Sequence, residues 1–128
     1  LSQAEMFIKT VKLQKGDLPP MIDIEEKPKE RAKFIQELKI FISKIEDHYG
    51  VKPLLYTYRK YKTRYLNDSF FARYPSWVAH YYIDSLDPET KWLIWQCSDI
   101  GEVPGIPENV DINIFNGNRE QLESLRIK

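Results

Sequence analysis

Apolar and polar positions follow two rhythms along this chain, one helical and one extended. In "LSQAEMFIKTVKL", residues 1–13, Ala4, Phe7, Ile8 and Val11 recur at helical spacing, and Ser2 with Glu5 suits a capping box. Gly16 and Asp17 end that helix, and "PPMIDIE" reads as a strand. Pro28 suits the first turn of a long second helix with an apolar stripe of Ile35, Leu38, Ile42, Ile45 and Tyr49, stopped by Gly50. "KPLLYTY" is a second strand, "RKYKTRYL" a short helix, and "SFFARYP" a turn or irregular helix. "SWVAHYY", "KWLIWQCS" and "NVDINIF" predict three further strands, and "NREQLESLRI" a closing helix. Pro and Gly in "SDIGEVPGIPEN" predict an ordered loop between the last two strands.

Helices separate the early strands, whereas loops separate the later ones. That rhythm predicts an α/β fold whose sheet starts parallel. A length of 128 residues fits a single domain, 1–128, with no linker or repeat inside it.

One strand breaks the simple pattern. In "MIDIEE" the apolar Ile22 and Ile24 alternate with Asp23 and Glu25, so both carboxylates share a face. Twice the strand rise places their Cβ atoms roughly 6–7 Å apart. Two acids that close raise one another's proton affinity, so one can stay protonated while its neighbour is ionised. Glycoside hydrolysis uses that division of labour. A helix cap beside a surface acid would have the same pattern, as would a divalent-cation site. Glu26 faces the other way.

Other strands bring company to the same rim. Tyr56 and Tyr58 end the second strand, and Trp77, Ala79 and Tyr81 share a face of the third with His80 opposite. Trp95 and Gln96 end the fourth, and Asp111 and Asn113 share a face of the fifth. Aromatic rings and amides are the groups that stack on and hydrogen-bond to sugars. Trp92 is expected in the core, His80 as a hydrogen-bonded structural histidine, and His48 at a helix end, where it favours the dipole.

Composition narrows the classes. Nineteen basic residues balance nineteen acidic ones, which argues against nucleic-acid binding and polybasic membrane attachment. No apolar run reaches the ~18 residues of a spanning helix. A lone cysteine, Cys97, forms no internal disulfide.

The stretches "LPPMIDIEE", "PLLYTY", "YPSWVAHYY", "WLIWQCSDIGEVPGI" and "VDINIFNG" together resemble the family-25 glycoside hydrolases, the muramidases or lysozymes that cut peptidoglycan. The resemblance implies part of a modified TIM-type β/α barrel, about five of the usual eight strands, with the later strands lacking helices. The chain then corresponds to the carboxyl-terminal portion of such a domain, without its first strands. It implies Glu25 as general acid and Asp23 as the group that positions the 2-acetamido substituent or stabilises the cationic centre. Asp111 matches the acid of the family's last strand, and Tyr56, Trp77, Tyr81, Gln96 and Asn113 fall on the sugar-binding wall. It implies no metal and no cofactor, peptidoglycan strands as the partner, and an extracellular or cell-envelope location set by that substrate. A glycan-binding module without catalysis, or an inactive fragment, is the alternative. Open barrel edges lead us to expect self-association.

Overall fold

The computed structural model describes residues 2–128, with side chains from Gln3 onward, so the expected Ser2 cap lies outside the described side chains. Helix α1 (Ser2–Thr10) leads by a loop to strand β1 (Met21–Asp23), and helix α2 (Arg31–Tyr49) to β2 (Leu54–Tyr58). Helix α3 (Arg59–Tyr65) and a 3₁₀ turn (Phe71–Arg73) precede β3 (Ser76–Ala79). Strands β4 (Ile94–Gly101) and β5 (Val110–Phe115) follow, and helix α4 (Arg119–Ser124) comes last. The five strands form one open sheet in sequence order, with β1 to β4 parallel and β5 antiparallel to β4. The parallel start and the helix-free later strands are as the sequence implies.

Alternation decides which face is buried. Ile22, Ile24 and Leu55 pack against Ile42 and Ile45 of α2, Ala4 of α1, and Tyr61, Phe71 and Tyr74. The expected α2 stripe is the stripe that packs, and Gly50 (φ 71°) turns left-handed at its end, where its N–H bonds Glu46 O at 2.8 Å. Beneath β3 and β4, a second cluster of Val78, Leu86 and Trp95 is covered by Ile83 and Trp92. Trp92, expected in the core, is half-buried at the edge of this cluster.

Several expected boundaries move. Helix α2 begins at Arg31, not at Pro28, because residues 24–28 have no regular structure and residues 29 and 30 bend before the helix starts. Thr57 Oγ1 donates to Ile24 O at 2.5 Å, and Tyr61 Oη to Glu26 O at 2.5 Å. Strand β3 stops at Ala79, and β4 continues to Gly101, through the first part of the expected loop. Irregular pairing between Gln96 and Gly101 lets β4 bend as it runs beside β5.

The chain end folds back on its beginning. Gly16 N–H donates to Ile127 O and Ile127 N–H to Asp17 O, each at 2.7 Å. Arg126 Nε adds a bond to Gly16 O at 2.7 Å.

Candidate active site

The parallel register carries the acids and rings across the face opposite the helices. Asp23 lies level with Tyr56, and Tyr56 with Trp77. Tyr58 lies level with Ala79, Ala79 with Gln96, and Gln96 with Asn113. Ala79 is the small member of that second row. All five strands thus place the expected residues on one surface. Tyr56 and Trp77 meet edge to face at 5.7 Å, and Trp77 Nε1 donates to Asn113 Oδ1 at 2.8 Å.

Glu25 lies two residues beyond Asp23, just past the end of β1, and both side chains are exposed. Protonated Glu25 hydrogen-bonds to Asp23, and this bond, with partial desolvation and the Asp23 charge, pushes its pKa from 4.5 up to about 7. A hydrogen bond from Tyr58 pulls the other way. Tyr58 is itself raised by burial and by the nearby Glu25, Asp23 and Asp99 charges. The alternation in "MIDIEE" therefore sets Asp23 near enough to raise the proton affinity of Glu25.

Gln96 is the buried hub of the site, 6% exposed. Its Oε1 accepts from Tyr56 Oη at 2.7 Å and from Tyr81 Oη. Two hydroxyl donors on the oxygen fix the amide's orientation, and Nε2 faces Asp111 Oδ2 at 3.4 Å. Gln96 thus spends its hydrogen bonds inside the chain, supporting the wall from below. Asp111 meets Gln96, which also holds Tyr56 and Tyr81. Tyr81 feels the charges of Asp111 and Asp99, and Tyr56 that of Glu25. Among the described residues no group of three or more His, Cys, Asp or Glu side chains is arranged to hold a metal ion.

Three placements differ from expectation. Tyr81 reaches the site from beyond the end of β3, not from its face, and is drawn in by its bond to Gln96. Trp95 belongs to the opposite, buried face, where Nε1 donates to His80 O at 2.8 Å. The His80 backbone is bonded, but its buried ring Nδ1 has no hydrogen-bond partner among the described residues, unlike the satisfied structural histidine expected. Asp99, hidden in a loop-like stretch of Gly and Pro, is the group sequence reasoning missed. The polar residues continuing past Gln96 in "QCSD" were its signal.

A cleft of about 650 Å³ runs along the free edge of β1, lined by Asp23 and Glu25 together with Phe34, Leu38 and Phe41. A second cleft, of about 580 Å³, lies between α3 and the β3–β4 connection, away from the carboxylates. The first takes in both carboxylates but none of Tyr56, Trp77, Tyr81, Gln96, Asp111 and Asn113, which spread across the sheet face beside it.

Comparison with known proteins places this arrangement. A family model described as "Glycosyl hydrolases family 25" matches residues 1–106, and the chain belongs to that family. The match ends before Asp111 and Asn113, which the structural likeness includes. A family 25 glycosyl hydrolase from Bacillus anthracis superposes with a TM-score of 0.86 at 32% identity, over 98% of this chain and 62% of that one. The bacterial lysozyme of Streptomyces coelicolor gives 0.83 at 26% identity, over 98% and 64%. "Uncharacterized protein YegX" of Escherichia coli O157:H7 is 38% identical over 124 residues, 95% of this chain and 45% of that protein. The chain spans about half the length of the curated relatives it matches. Its open five-stranded sheet has the fold of the family 25 lysozymes. Among the described residues no helix is long and apolar enough to cross a membrane.

Proposed function

We propose that this chain carries the acid-bearing part of a peptidoglycan hydrolase, a lysozyme-type N-acetylmuramidase acting on the β-1,4 bond between N-acetylmuramic acid and N-acetylglucosamine. The observation that supports the reading is the placement of Glu25 beside Asp23 at the carboxyl end of a parallel strand, where Asp23 pushes its pKa up to about 7. In this role protonated Glu25 gives its proton to the glycosidic oxygen as the bond breaks. Asp23, ionised beside it, positions the 2-acetamido group or steadies the positive charge growing on the sugar ring. Asp111, oriented by Gln96, bounds the site on the β5 side. Tyr56, Trp77, Tyr81 and Asn113 form the wall on which the sugars lie, with Gln96 beneath them. Peptidoglycan strands are then the partner, and the cell envelope or the space outside it the place of action. The free edges of β1 and β5 are where copies would associate.

A second reading, glycan binding without turnover, is favoured by the exposure of both Asp23 and Glu25 along an open edge. Clearing of cell-wall suspensions separates the two. Hydrolysis predicts clearing that Glu25→Gln abolishes while pull-down of peptidoglycan persists. Pull-down without clearing by the unmodified chain supports the binder, and full clearing by Glu25→Gln removes Glu25 from the acid role.

A further inference from the structure

The turn after β3 carries a feature that the chemistry at Glu25 does not use. Tyr82 has φ 61°, and among the described residues it is the one non-glycine with positive φ. Its ring is 80% exposed. For a bulky side chain the left-handed region is strained, and such strain persists only where the surroundings impose it.

The neighbours supply the imposition. His80 is clamped to β4, its N–H donating to Gln96 O at 3.1 Å and its carbonyl accepting from Trp95. Tyr81 is drawn to the site by its hydroxyl bond to Gln96. Ile83 returns at once to the cluster beneath the sheet. With residues on both sides anchored, the chain reverses at Tyr82 and the ring is left standing in water. Its aromatic contact is an edge-to-face approach to Tyr81, with ring centroids 6.5 Å apart. No hydrogen bond within the described residues uses its hydroxyl. The core gains nothing from this side chain, yet the backbone is strained to present it.

We propose that Tyr82 is a carbohydrate-stacking platform that lengthens the glycan groove past Tyr81, taking the C–H face of an N-acetylhexosamine unit outside the catalytic pair. The proposal rests on the glycan-directed reading above. A flat ring with two side-chain torsions, on a backbone already fixed by its neighbours, loses little freedom on binding. The site would engage long β-1,4-linked chains and leave short ones indifferent.

The test uses the 128-residue chain and two probes, the trimer and hexamer of β-1,4-linked N-acetylglucosamine, titrated by calorimetry. Tyr82→Asn removes the ring and suits the left-handed backbone. It should weaken hexamer binding about tenfold, the loss of one stacking contact, with trimer affinity within about twofold and the melting temperature unchanged or raised. Tyr82→Phe should restore hexamer affinity. Hexamer binding by Tyr82→Asn equal to the unmodified chain would overturn the platform alone and leave the reading of the site standing. A lowered melting temperature in Tyr82→Asn would make Tyr82 a packing residue and also overturn it. Failure of the unmodified chain to bind either probe would remove the platform and the glycan reading together.

Discussion

Replacing Asp23 with Asn tests the central pairing most directly. Glu25 titrates near 7, and the first cause is its hydrogen bond to Asp23, followed by desolvation and the Asp23 charge. Asn removes the charge and offers an amide N–H that favours the ionised form of Glu25. Desolvation remains, so the midpoint should settle between 4.5 and about 5.5. At pH 6 a group titrating at 7 is about 90% protonated, whereas one at 4.5 is about 3% and one at 5.5 about 24%. The pool of proton donor therefore shrinks by about 4-fold to 30-fold. Carbon-13 NMR titration of the Glu25 carboxyl in both chains reads this without any need for turnover. The sign for stability follows. Between pH 4.5 and 7 the folded chain retains a proton that the unfolded chain has released, so stability is full below 4.5 and falls as pH rises through 7. Asp23→Asn should flatten that slope in urea unfolding. A Glu25 midpoint that stays near 7 in the variant would refute the pairing and place the cause elsewhere.

Two further outcomes follow from the packing. Thr57→Val removes one of the two bonds that tie Ile24 to β2, at a fully buried position, and should cost about 1 kcal/mol in urea unfolding. It should also speed amide exchange just past β1, and unchanged exchange there would show that Thr57 does not hold the strand end. Gly101→Ala would set a Cβ 2.3 Å from the Ile112 side chain and 2.9 Å from Val110 O, where β4 and β5 touch. The Ile112 side chain can turn away but the carbonyl is backbone, so a loss of about 1–3 kcal/mol is expected in thermal unfolding. An unchanged melting temperature would show that the hairpin yields freely.

How much was legible follows from where each decision is made. The two faces of β1 could be read from Ile22, Asp23, Ile24 and Glu25 because strand periodicity is local. The packed stripe of α2 and its stop at Gly50 were readable for the same reason. The start of α2 was not, because hydroxyls from Thr57 and Tyr61, some thirty residues later, hold the carbonyls of Ile24 and Glu26 outside any helix. Nor were the ends of β3 and β4. Pairing with β5 carries β4 past the residues that look like a turn, and with it Asp99. Gln96 was recognisable as a site residue, but its place beneath the wall depends on Tyr56 and Tyr81 converging on one oxygen. Those two residues lie 40 and 15 positions away. No periodicity marks the reversal at Tyr82, which arises from the anchoring of both its neighbours.

The unpaired side of β1 has a consequence for how acidity and assembly are linked. A backbone laid alongside Met21–Asp23, from whatever source, would become the missing bank of the channel that Glu25 overlooks. It would shut out part of the water now reaching the two acids and make Glu25 still more reluctant to ionise. Completion of the sheet and retention of the transferable proton would then be one event seen from two sides.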